Sequence, residues 1–262
     1  MRVLIAGDVH GRHERLAEFL RQAQTDFRIA AAIQVGDFGF YREALMKAEE
    51  TGLRYPVPLH VIDGNHEDHP WLHRTLRQGA DRAWPEQFNL IYQPRGSVAP
   101  LGGSKVGFLG GALHVDRPQK HNEGSGFPNY ILRQETDQAA ARFNQERPAL
   151  IVTHSCPARL GIGMAVSAAL AHSVAENIVA AGFDPGPEQD CGEVELTRLW
   201  QALAYRPRGW VFGHFHHAHQ VMIEGTRFVS VSAELDAPDR SLVIWDTDER
   251  QLLLCPLDPS AG

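Results

Sequence analysis

Asp8 and His10 stand where the apolar start of "LIAGDVHGR" (residues 4–12) gives way to polar residues. A carboxylate and an imidazole two positions apart are the side chains of a metal site or of acid–base chemistry. The same pattern returns further along the chain. "AAIQVGDFG" delivers Asp37, "LHVIDGNHE" delivers Asn65 and His66, "ALIVTHS" delivers His154, and "GWVFGHFH" delivers His214 and His216. Each time an apolar run ends at a group with metal-ligand chemistry, often directly after a glycine.

Gathered in one place, these groups would be costly alone. Buried carboxylates repel one another, and a buried imidazole needs partners. Divalent cations remove that cost. Imidazole nitrogen suits Zn, Fe and Mn, and carboxylate or amide oxygen suits Mn or Mg. Asp8, His10, Asp37, Asn65, His154, His214 and His216 are too many donors for one tetrahedral ion. They suit two ions that share a bridging carboxylate, the arrangement that clamps both oxygens of an in-line displacement at phosphorus.

Strands must position these groups, because ligands of open α/β sheets bind beyond the carboxyl ends of strands. Apolar runs predict strands over Arg2–Ala6, Ala30–Val35, Pro58–Ile62 and Ala149–Thr153. Helical spacing predicts helices over Arg12–Gln24, Arg42–Glu50, Asp68–Gln78 and Arg133–Glu146. "GSVAPLGGSKVGFLGG" predicts a hairpin turning at Gly102-Gly103. A β meander follows, over Trp210–Phe212, His219–Ile223, Arg227–Val231, Ser241–Asp246 and Leu252–Leu254. Ile162, Val166, Leu170, Val174 and Ile178 recur at i, i+4 and predict one helix within Gly161–Phe183. Glu193–Ala204 is expected to be a further helix. No repeat and no Pro/Ser linker divides the 262 residues, so one domain is expected, with a helical insert at about 156–208.

Composition excludes several classes. A net charge of −7 argues against a broad basic face for long duplex nucleic acid. It leaves room for a phosphate substrate, because bound cations supply the positive field locally. Cys156, Cys191 and Cys255 form no CxxC pair, which fits a reducing cytoplasm better than a disulfide scaffold. The N-terminal apolar run is too short for a signal peptide, and no uncharged stretch is long enough to span a membrane.

The ordered set D-x-H, G-D, G-N-H-E, T-H and G-H-x-H resembles the calcineurin-like metallophosphoesterase superfamily, from Asp8 to His216 and on into the last strands. The resemblance implies a four-layer α/β/β/α sandwich of two mixed sheets. It implies that Asp8, His10 and His216 hold a first metal, that Asn65, His154 and His214 hold a second, and that Asp37 bridges both. The ions would be Mn or Fe, or else Zn. His66 would stand beside them as general acid or transition-state donor. The implied reaction is in-line attack of metal-activated water on a phosphomonoester or phosphodiester, with a small phosphoester or nucleotide as substrate.

Within the superfamily, "GDFGFYREA" departs from the Asp-Arg pattern of the protein serine/threonine phosphatases and from that of the diadenosine tetraphosphate hydrolases. The run through the Gly-rich hairpin is similar to bacterial phosphoesterases near the RNA lariat debranching branch, which has cysteine where this chain has Asp8. The alternative from another class is a metal-binding regulatory or scaffold protein with little turnover; an intact His66 favours the enzyme. Glu67 is read either as orienting His66 or as a solvated, helix-starting carboxylate. Phe38, Phe40 and Tyr41 either stack on a substrate or pack under the sheet. His114, Arg117, Lys120 and His121 either face a phosphate or belong to a solvated loop.

Overall fold

The computed structural model describes residues 1–77, 86–113, 130–163, 168–180, 190–232 and 241–256. Its first half alternates strand and helix: β1 (Arg2–Ala6), α1 (His13–Phe27), β2 (Ile29–Gln34), α2 (Arg42–Glu50), β3 (Leu59–Val61), α3 (His69–Leu72) and β4 (Leu90–Tyr92). The hairpin β5 (Ser97–Leu101) and β6 (Ser104–Leu109) turns at Gly102 and Gly103, as the sequence predicts. Next come α4 (Arg133–Glu146), β7 (Leu150–Thr153), α5 (Ala168–Val174), α6 (Val194–Ala202), β8 (Gly209–Phe212), β9 (His219–Ile223), β10 (Thr226–Ser230), β11 (Ser241–Asp246) and β12 (Gln251–Pro256).

Two mixed six-stranded sheets result, in the orders β12-β11-β1-β2-β3-β4 and β5-β6-β7-β8-β10-β9. The alternation of side chains along each strand explains why the predicted strands are continuously apolar: both faces are covered. On β1, Leu4 and Ala6 pack with Leu16, Leu20 and Leu45 of α1 and α2. Val3 and Ile5 face the other way and meet Phe108, Val152 and Val211 of the second sheet. On β8, Trp210 and Phe212 pack with Phe143 and Leu199 of α4 and α6. Three apolar layers between four layers of structure make the α/β/β/α sandwich.

The topology fixes the site. β1, β2, β3 and β4 run parallel, and so do β6, β7, β8 and β10. The ends of β1, β2 and β3 carry Asp8, Asp37 and Asn65, and the ends of β7 and β8 carry His154 and His214.

Two expected helices change on folding. Among the described residues, the one within Gly161–Phe183 is helical over Ala168–Val174, passes into a π-helical turn over Ala175–Val179, and does not include Ile162. Gly161 has φ +79°, and Gly163 bridges to Asp190, so the chain there is not helical. Ile162, Leu170 and Val174 are still all buried, which is why their spacing mimics one helix stripe; Val166 lies outside the described residues. The helix expected over Asp68–Gln78 is α3 followed by a π-helical turn, His73–Arg77. Asp68 caps it by accepting the Trp71 N–H at 3.0 Å.

Candidate metal centre

All eight residues singled out by sequence converge between the two sheets. Asp8, His10 and His216 form one group of donors, and Asp37, His154 and His214 form another; within each, the donor atoms lie within 4.8 Å of one another. Asn65 belongs beside the second group, with its Oδ1 3.0 Å from His154 Nε2. The groups adjoin: His154 Nε2 lies 3.3 Å from Asp37 Oδ1 and 3.9 Å from Asp8 Oδ1. His66 is in neither group. Its ring meets His10 edge-on at 5.7 Å between centroids, and its backbone N–H donates to Asp37 Oδ1 at 2.9 Å.

The backbone is bent to make this arrangement. His10, Asp37, His214 and His216 adopt left-handed φ values of 49°, 51°, 68° and 51°. Each such residue costs about 1–3 kcal/mol, and such strain concentrates at functional sites. Two glycines admit the neighbours: a Cβ on Gly36 would collide with the His154 ring, and one on Gly64 with the Asp37 carboxylate.

Several observations show that the residues fit divalent cations. Asp8 and Asp37 are both buried, 0% and 1% exposed, and both approach His154 Nε2. His214 Nε2 is buried and makes no hydrogen bond. His154 donates Nδ1–H to the Val35 carbonyl at 2.8 Å, which turns Nε2 toward the two oxygens of Asn65 and Asp37. His10 Nε2 and His216 Nε2 face each other at 3.1 Å. Two imidazoles on one tetrahedral ion stand about 3.3 Å apart, given metal–nitrogen bonds of about 2.0–2.1 Å.

Electrostatics without cations follow the same geometry. Burial opposes charge on His154, but Asp37 beside it raises its pKa to about 10. Burial works against the Asp37 carboxylate too, and His154 nevertheless holds it well below the usual range. Burial and the neighbouring His154 push His214 down to about 3. Burial also lowers His10, whereas a hydrogen bond to Asp8 raises His216.

Three buried or half-buried carboxylates around the centre are not legible as such in the sequence. The Glu67 carboxyl turns to backbone amides of the loop after β2. Its Oε1 accepts the Phe38 N–H at 2.9 Å, and its Oε2 accepts those of Gly39 and Phe40 at 3.1 and 2.6 Å. Burial of the carboxyl, then Asp37, raise its pKa to about 8 against those amides. Asp63 takes a bidentate pair from Arg95 at 3.0 and 2.7 Å, and Arg95 also reaches Glu135 at 2.8 Å. Glu193 accepts the Leu113 N–H at 3.0 Å, and burial raises it to about 7. Phe38 and Phe40 are wholly buried and pack under the sheet, leaving Tyr41 at the surface. His114, Arg117, Lys120 and His121 lie outside the described residues.

Comparison with known proteins gives the family and the fold. The calcineurin-like phosphoesterase family matches residues 1–218, and the chain belongs to that family. Solved structures share the fold at low identity. The protein TT1561 of Thermus thermophilus superposes with a TM-score of 0.59 at 14% identity, over 97% of this chain and 98% of that one. A Staphylococcus aureus protein provisionally assigned as a 5′-nucleotidase gives 0.55 at 14%, over 100% of this chain and 55% of its own. GAP50, the anchor in the inner membrane complex of Plasmodium, gives 0.54 at 10%, over 100% and 85%. No curated protein matches the sequence. Among the described residues, no helix is long and apolar enough to cross a membrane.

Proposed function

We propose that the chain is a dinuclear metal-dependent phosphoesterase acting on a small phosphomonoester or phosphodiester, such as a nucleotide. The observation that carries this reading is the pair of adjoining donor groups, Asp8/His10/His216 and Asp37/His154/His214, with Asn65 beside the second. Asp37 is the carboxylate placed to serve both. When bound, two divalent cations, Mn or Fe most naturally and Zn as the alternative, supply positive charge for the phosphoryl oxygens and make water a competent nucleophile near neutral pH.

The chain's own residues do the rest. His154 is locked in one orientation by Val35, so its Nε2 is available as a donor without rotation. His66 is held by its backbone at both ends: its N–H bonds to Asp37, and its carbonyl accepts from the Tyr41 hydroxyl. The ring therefore stands at the edge of the centre, beside His10, where a leaving oxygen would depart. As general acid it would donate a proton there. In the same reading residues 1–262 are one domain and 156–208 are a helical insert. Its Glu193 braces the Leu113 segment beside the centre. Two buried free thiols, Cys156 and Cys191, support a reducing, cytoplasmic setting.

Hydrolysis of p-nitrophenyl phosphate and bis(p-nitrophenyl) phosphate tests this. The expected result is turnover of at least one, abolished by EDTA and restored by Mn²⁺. Two bound Mn²⁺ with turnover of neither ester nor of any nucleotide would support a metal-binding scaffold instead.

A further inference from the structure

We propose that Glu67 is the positioning residue of the centre, setting the place of Asp37 between the two donor groups without binding a cation itself; this rests on the two-cation reading. Three consecutive amides, those of Phe38, Gly39 and Phe40, point into one carboxylate, and the Gly64 amide approaches it at 3.4 Å. Successive N–H groups in such a turn form a concavity that holds an anion. Here the acceptor is the carboxyl group of the chain's own side chain.

What this concavity controls is the residue just before it. Asp37 is left-handed, a conformation that aspartate adopts more readily than most residues but that still carries a cost, and its neighbours hold it there. One restraint comes from the loop after β1: the Val9 and His10 amides donate to the Asp37 carbonyl at 3.0 and 2.8 Å, and Gly11 donates to that of Phe38 at 3.0 Å. Glu67 supplies the other from the loop after β3. The Asp37 carboxylate is in turn met by the His66 amide at 2.9 Å. Glu67 thus ties the loop that carries Asn65 and His66 to the loop that carries Asp37, and the Asp37 and Phe38 carbonyls tie that loop in turn to the one that carries Asp8 and His10. It is absent from both donor groups, so its effect on cations passes through Asp37.

Removing the clamp should free the Phe38–Phe40 amides and let Asp37 relax out of the shared position. Groups behind metal ligands typically cost about 10–100-fold in metal affinity when lost. Glu67→Gln keeps the shape but sets an amide NH₂ against backbone N–H donors. Glu67→Asp keeps the carboxyl group and shortens the reach. The test uses the full chain titrated with Mn²⁺ by calorimetry, electron paramagnetic resonance of the loaded protein, and hydrogen exchange at Phe38–Phe40.

Wild type should bind two Mn²⁺ and show an exchange-coupled signal. Glu67→Gln should lose protection at Phe38–Phe40, bind the second Mn²⁺ about 10–100-fold more weakly and lose the coupled signal, while the first affinity holds. Glu67→Asp should fall between. Wild-type affinities and coupling in both variants would overturn the proposal, as would failure of both to fold, which would make Glu67 a residue of general stability. Fewer than two Mn²⁺ on wild type would instead sink the two-cation reading beneath it.

Discussion

Cation binding at the second donor group should release a proton, and its affinity should climb with pH. His154 has its Nδ1–H committed to Val35, and its Nε2 faces Asn65 Oδ1 at 3.0 Å and Asp37 Oδ1 at 3.3 Å. A nitrogen lone pair aimed at two oxygens is repulsive, so Nε2 carries a proton when no cation is there. The folded pKa of about 10 lies above the ordinary value of 6.5. The pair therefore stabilises the metal-free fold fully below pH 6.5, and that contribution is lost as pH rises through about 10.

A cation needs the Nε2 lone pair and must displace this proton. His214, at about 3, is already neutral and releases none. One proton per cation means a tenfold gain in apparent affinity per pH unit, or roughly 30-fold between about pH 7.0 and 8.5. Calorimetric Mn²⁺ titrations in buffers of different ionisation enthalpy count that proton. The Asp8→Ala chain removes the hydrogen bond that raises the His216 pKa and serves as the comparison. Equal affinity at the two pH values, with no proton released, would refute the reasoning.

Other outcomes follow from the same geometry. His66→Ala should keep both cations and lose roughly 10²–10⁴-fold in kcat, less for p-nitrophenyl esters than for alkyl esters, whose leaving group needs the proton more; metal content and rates on both substrates check this. Asp8→Ala should deplete the first cation in elemental analysis, and excess Mn²⁺ should restore part of the activity. Arg95→Ala leaves the wholly buried Asp63 carboxylate without its ion pair, which should cost about 3–5 kcal/mol in urea denaturation.

Much of the centre is legible in the sequence because strand ends are written locally. An apolar run closed by Gly-Asp or Gly-His states both the strand and the side chain it delivers. The alternation of strand and helix then sends those ends to one edge of a parallel sheet. What supports the centre is not written locally. Arg95 meets partners 32 and 40 positions away, and nothing near "QPRG" announces them. Glu67 sits inside "GNHE", yet its partners are backbone amides 27–29 positions back, which carry no side-chain signal. β4 is three residues long, too short for a period to show. Ile162 shares the spacing of Leu170 and Val174 because all three reach the same core, although only the latter two are helical.

The central claim is that two cations share this centre. Anomalous diffraction from crystals of the full chain soaked in Mn²⁺ tests it most directly. The account predicts two peaks, one among Asp8, His10 and His216 and one among Asn65, His154 and His214, with the Asp37 carboxylate between them. A single peak, or peaks away from these residues, would contradict it.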